Sequence, residues 1–177
     1  MHSKLEAMKT NETYPKSFSH IGITVPNIKE AVKFYSEVMG WYVIMEPSTV
    51  KKERETAIGQ MCIDVFGEDW EEFEIAHLST SDGIGIELFT FPHGVKEAPE
   101  FNPFNTGLFH FCIQDPNIEE LVAKIVAHGG KQRMPIRKYY PKDKPYSMCY
   151  VEDPFGIVFE VYTHSYELTY SSGAYQK

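Results

Sequence analysis

The sequence predicts an α+β fold built from two similar halves, each running strand, helix, then three strands. Three observations predict it. First, residues 18–32 (FSHIGITVPNIKEAV) match residues 108–122 (LFHFCIQDPNIEELV) at a constant spacing of 90, which pairs His20 with His110 and Pro26-Asn27-Ile28 with Pro116-Asn117-Ile118. Second, residues 83–89 (GIGIELF) match 156–162 (GIVFEVY) at a spacing of 73, which pairs Glu87 with Glu160. Third, each early block carries one apolar helical stripe: Ile28, Ala31, Val32, Tyr35, Val38 and Met39 in the first half, and Ile118, Leu121, Val122, Ile125 and Val126 in the second.

Taken in order, a strand over 18–25 leads into a helix over 28–39. Asn27 stands in the cap position with Glu30 three residues on, and Asn117 with Glu120 repeats the arrangement before a helix over 118–128. Pro26 and Pro116 keep the chain extended ahead of each helix, and Gly40 and Gly129-Gly130 end them. β-Branched and aromatic runs predict further strands at 41–46, 73–79, 84–91, 107–114, 131–136, 146–152 and 157–163. The spacing falls from 90 to 73, so the first half holds 17 extra residues between its matched blocks. They fall in Lys51–Gly67, where 52–66 reads as an extra helix, or in the acidic run Glu68, Asp69, Glu71, Glu72 and Glu74. The expected organisation is one domain over 18–164, with modules 18–91 and 107–164. Residues 92–106, with three prolines, are the linker, and 1–17 and 165–177 are tails; the tail after Tyr166 shows no clear element.

Composition excludes several classes. No apolar run reaches the ~18–20 residues of a bilayer span, and Met1–Lys16 is too polar for a secretory signal. A net charge of −8 is unsuited to holding nucleic acid, which needs a clustered positive field. Cys62, Cys112 and Cys149 are odd in number and far apart, which argues against a disulfide framework or a cysteine zinc site. A reducing, cytoplasmic setting is expected.

Histidine is the remaining chemical resource. Strand alternation puts His20 on one face with Phe18, Gly22 and Thr24, opposite Ile21, Ile23 and Val25, and puts His110 with Cys112 and Gln114. Glu87 and Glu160 recur at equivalent places in otherwise apolar strands, where a carboxylate is costly unless paired or bound to a cation. Each residue alone is more often structural: a hydrogen-bonded histidine, an edge glutamate, or one end of a cross-strand ion pair. As a repeated His…Glu, His…Glu set, they suit a divalent transition metal such as Ni, Co, Zn or Fe once the halves pair about a pseudo-twofold axis.

The segments FSHIGITVPNIKEAVKFYSEVMGW, GIGIELFTF, GLFHFCIQDPNIEELVAKIVAHGGK and YVEDPFGIVFEVYTH together resemble the vicinal oxygen chelate superfamily, the glyoxalase/bleomycin resistance/dioxygenase proteins. The resemblance implies two βαβββ modules whose curled mixed sheets form a metal-binding cleft, with His20, Glu87, His110 and Glu160 as ligands. A glutamate at the second ligand position is the glyoxalase I pattern. The implied activity is that of a metal-dependent lyase or isomerase that stabilises an enediolate or oxyanion, with Glu160 as the first candidate base and Glu87 the second. Two alternatives remain. One is an Fe(II)-dependent extradiol-type dioxygenase using His20, His110 and Glu160; the other is a metal-independent ligand-binding or resistance protein. Thr24 and Phe91 stand where many glutathione-using glyoxalases carry arginine and asparagine, so a glutathione carrier is not implied.

The expected partner is a small-molecule substrate. The segment KQRMPIRKYYPKDK (131–144) is strongly basic, either as a solvated loop or as a gate for an anionic substrate in which Arg137 and Tyr139 take part. His77 is a further candidate pocket residue, with His93 behind it. A homodimer is expected because each module leaves a sheet edge to cover, with the modules pairing within one chain or swapping between two.

Overall fold

A computed structural model describes residues 15–93, 100–140 and 144–171. The first half runs β1 (His20–Thr24), α1 (Ile28–Glu37), β2 (Tyr42–Lys51), α2 (Ala57–Phe66), β3 (Glu72–Ser79) and β4 (Gly85–Thr90). The second runs β5 (Phe111–Gln114), α3 (Ile118–Ala127), β6 (Lys131–Gln132), β7 (Arg137–Lys138), β8 (Ser147–Glu152), β9 (Val158–Tyr162) and α4 (Tyr166–Ser171). This is an α+β fold with two mixed sheets, ordered β1-β4-β3-β2 and β5-β9-β8-β6, with β7 also pairing β8. In each sheet the first strand pairs in parallel with the last strand of its half, so β1 and β5 both end their sheets and the sheets are not closed.

The helical stripe explains how each half is layered. Ile28, Ala31, Val32, Phe34 and Tyr35 of α1 are buried against Ile23, Leu78, Ile86 and Leu88 of the first sheet, and Ile118, Leu121, Val122 and Ile125 do the same work in the second half. One continuous core includes residues of both halves. Asn27 caps α1 as expected: its side chain accepts hydrogen bonds from the Lys29 and Glu30 amides. Asn117 makes no such bond, and the Asp115 carboxylate instead accepts from the Asn117 amide, so the repeated sequence signal produces two different helix entries.

Other expectations shift in detail. The extra segment of the first half does form a helix, shorter than 52–66 and entered through Thr56, whose hydroxyl accepts from the Gly59 amide. Of the strand expected over 131–136 only the two-residue β6 forms, with the two-residue β7 just beyond that range, and β5 begins only at Phe111, leaving His110 just ahead of it. The chain after Tyr166 forms α4, a helix its Tyr- and Ser-rich sequence did not announce. It is held by tertiary contacts, including the bond from the Tyr140 hydroxyl to the Thr169 carbonyl.

Candidate metal centre

Parallel pairing sets the first pair of ligand-type side chains. His20 stands opposite Gly85 and Gly22 opposite Glu87, so His20 and Glu87 lie on one face, two residues apart along adjacent strands. Their Nε2 and Oε2 atoms are 3.8 Å apart. Gly85 makes this possible, because a Cβ there would lie 2.9 Å from the His20 Cβ. The next strand adds a neighbour: His77 is the direct cross-strand partner of Glu87, with Nδ1 3.7 Å from Oε1.

The second half repeats the plan. Cys112 stands opposite Glu160, and His110, two residues earlier, brings Nε2 to 3.2 Å from Glu160 Oε2. Tyr150 is the direct cross-strand partner of Glu160 and hydrogen-bonds it, and so occupies the place that His77 holds beside Glu87. The sequence reading passed over Tyr150, although the spacing of 73 that aligns the carboxylates also aligns His77 with Tyr150. Burial, with the Glu160 hydrogen bond and charge behind it, pushes the Tyr150 phenol well above its usual range. Burial and the Glu160 charge push the Cys112 thiol up to about 12, so the thiol stays protonated at neutral pH.

The two pairs differ in environment. The His20 and Glu87 side chains are 52% and 27% exposed, against 25% and 10% for His110 and Glu160. All five residues of β9 are buried, so Glu160 is a carboxylate enclosed in an apolar strand, as its sequence context implied. His110 Nδ1 is buried with no hydrogen-bond partner among the described residues. The ring thus has Nε2 beside a carboxylate and Nδ1 without a partner among the described residues. Two cis ligands at ~2.1 Å from one cation lie about 3 Å apart, close to the His110–Glu160 separation. Imidazole nitrogen and carboxylate oxygen are donors that Fe, Ni, Co and Zn accept.

Within the chain the four residues come together as two pairs. No group of three or more histidine, cysteine or acidic side chains among the described residues converges on one point. A cavity of about 360 Å³ lies where the halves meet, lined by Gly22 and Thr24 of β1, the 100–107 segment, His110 and Ile157.

The candidate substrate residues are spread more widely. His77 lies against Glu87. Tyr139 follows β7, with its ring 6.4 Å from Tyr162, the residue two beyond Glu160 on the same face. Arg137 is exposed on β7, and Lys142 lies outside the described residues. No helix among the described residues is long and apolar enough to cross a membrane.

Comparison with known proteins agrees with this architecture. The fold is similar to that of a glyoxalase family protein from Bacillus cereus, with a TM-score of 0.69 and 22% identity over 87% of this chain and 96% of that one. It is similar to glyoxalase I from Zea mays, with a TM-score of 0.58 and 18% identity over 84% of this chain and 44% of the maize chain. A genomically encoded fosfomycin resistance protein from Listeria monocytogenes matches with a TM-score of 0.52 and 14% identity, over 86% of this chain and 94% of that one. No curated protein sequence matches. The family model for the Glyoxalase/Bleomycin resistance protein/Dioxygenase superfamily matches residues 17–161, and with most of the chain inside that match, the protein belongs to this superfamily.

Proposed function

We propose that this protein is a metal-dependent lyase or isomerase acting on a small oxygen-bearing substrate, and that its metal, Ni, Co, Zn or Fe, is held by His20 and Glu87 of one chain with His110 and Glu160 of a second copy. The observation that carries this reading is the pair of half-sites. Two His/Glu pairs at equivalent positions of the repeat stand beside the two sheet edges formed by β1 and β5, and nothing among the described residues of the same chain completes either. A homodimer supplies both the missing half-site and cover for the edges.

A bound divalent cation supplies Lewis acidity toward a developing enediolate or oxyanion. The chain's own groups do the rest. Glu160, nearly enclosed and oriented by the Tyr150 phenol, is the carboxylate assigned to proton transfer between adjacent substrate carbons. Glu87 is the second carboxylate, set between the His20 and His77 imidazoles. His77 and Tyr139 are assigned to the substrate pocket, and Arg137 to attracting an anionic substrate at its rim. The three free cysteines support a cytoplasmic setting.

The test is metal content. The purified protein, stripped and reloaded with each metal in turn, is expected to retain about one equivalent per chain and to lose it on His110→Ala. Retention below about half an equivalent of every metal, with no effect of His110→Ala, would falsify the reading and favour a metal-independent binding protein. Retention of iron with substrate-dependent oxygen consumption would move the assignment to a dioxygenase.

A further inference from the structure

The two ligand-bearing faces are alike at their His/Glu pairs and unlike just beyond them. Phe89 follows Glu87 by two positions on β4, and Tyr162 follows Glu160 by two on β9, so each shares its carboxylate's face. Each is covered by a helix with no counterpart in the other half among the described residues. In the first half, α2 brings Phe66 onto Phe89 and Phe91, with ring centroids 6.1 and 5.4 Å apart. Phe89 also leans over β1: a Cβ on Gly22 would lie 3.4 Å from its ring, and Gly22 is the register partner of Glu87. The ring edge therefore lies over Gly22, on the face that carries His20 and Glu87. Phe66, Phe89 and Phe91 keep part of their surface open. In the second half, α4 places the Tyr170 hydroxyl 2.9 Å from that of Tyr162 and 3.4 Å from that of Tyr139. One wall is apolar and aromatic; its equivalent carries phenol hydroxyls.

We infer that these walls are two unlike subsites flanking the metal centre, so that the substrate carries an aryl or branched alkyl group on one side of its oxygen-bearing carbons and a hydrogen-bonding group such as a carboxylate on the other. This rests on the reading that one centre joins the two pairs, since positions related by a pseudo-twofold axis then fall on opposite sides of it. An aryl group seated on Phe66 and Phe89 makes edge-to-face contacts, while a polar group placed there loses its water without a partner. The hydroxyl-bearing wall has the opposite preference. The substrate is thereby oriented, with its apolar end beside Glu87 and its polar end beside Glu160.

Hydroxamates share one chelating group and differ in what it carries, so they test the walls directly. Full-length protein loaded with Ni(II) is titrated calorimetrically with benzohydroxamate, acetohydroxamate and succinomonohydroxamate. Benzohydroxamate is expected to bind about tenfold or more tighter than acetohydroxamate, and Phe89→Ala should bring that ratio down to about threefold or less. Phe66→Ala, at the partly exposed end of α2, serves if Phe89→Ala does not fold. Tyr170→Phe, which removes the partly exposed hydroxyl that meets the buried Tyr162, should weaken succinomonohydroxamate by about threefold or more, and acetohydroxamate by less. Equal binding of the phenyl and methyl compounds, or a ratio that survives both phenylalanine variants, overturns the inference and leaves the metal centre standing. If Ni(II) loading changes the binding of no hydroxamate, the metal centre and the subsites fall together.

Discussion

The Tyr35 hydroxyl, on the helix of the first half, donates a buried hydrogen bond to the Asp153 carboxylate in the turn between β8 and β9 of the second. The other Asp153 oxygen accepts from the Phe155 and Ile157 amides, each at 2.8 Å. Phe34 and Tyr35 pack around Phe155 at the same junction. This latch joins the halves on the helix side of the first sheet, the face opposite His20 and Glu87. It adds a polar contact to the core that the two halves share.

Removing the latch donor leaves a buried carboxylate short of one partner. Tyr35→Phe is expected to destabilise the protein by about 1–3 kcal/mol, read from urea unfolding with an unchanged slope. The Tyr35 ring still stacks on Trp41 in this variant, since that contact does not need the hydroxyl. A loss under about 0.5 kcal/mol would show that the hydrogen bond contributes little beyond solvation.

The same carboxyl sets a pH dependence. Burial raises the Asp153 pKa above its ordinary 3.8, against the lowering effect of the Tyr35 and amide hydrogen bonds. A raised folded-state pKa means the folded protein holds that proton more tightly than the unfolded chain. The stabilisation is therefore complete below the unfolded value and is lost as pH rises through the folded one. Asp153→Asn carries no such titration, so the stability difference between wild type and variant should move against the wild type as pH rises from about 4. Parallel pH–stability curves would contradict this.

Much of this fold was legible because repetition in sequence is repetition in structure. The spacing of 90 located both strand–helix units, and the spacing of 73 located both carboxylate strands, since burial of one face forces alternation wherever a strand packs on a helix. What the repeat could not show was divergence between its copies. Asn27 caps its helix from an extended backbone (φ −142°, ψ 108°), whereas Asn117, at φ −98° and ψ 51°, makes no side-chain cap bond. His77 and Tyr150 occupy one structural position with unlike chemistry. Nor did the repeat say whether the two His/Glu pairs would meet: that depends on how the halves dock, through a shared core and contacts such as Tyr35 with Asp153 that have no repeated signal.

Gly85 gives a sharper handle on the first pair than substitution of His20 or Glu87 does. A methyl group there would lie 2.9 Å from the His20 Cβ, which rotation of the imidazole does not move, so β1 must shift against β4 and carry His20 away from Glu87. Gly85→Ala should cost metal affinity by about 10- to 100-fold, as loss of a supporting group commonly does, and lower the thermal midpoint as well, because the β1–β4 pairing must give. Unchanged affinity would mean that His20 is not held in place by the space Gly85 leaves.

Sharing of the centre between two copies makes a prediction that an intramolecular site does not. A His20→Ala chain spoils the site built from its own first half, and a His110→Ala chain spoils the site built from its own second half. Each homodimer of variants then has two damaged sites. A heterodimer of the two concentrates both lesions in one site and leaves the other with His20 and Glu87 from one chain and His110 and Glu160 from its partner. If the two variants are co-refolded in equal amounts and pair at random, about half the dimers are mixed and about a quarter of all sites are intact. Metal retention should therefore rise from near zero in either variant alone to about a quarter of the wild-type value in the mixture, with activity recovering in proportion once a substrate is in hand. If each site lay within a single chain, mixing would restore nothing, because every chain in the mixture would carry a lesion in its own site.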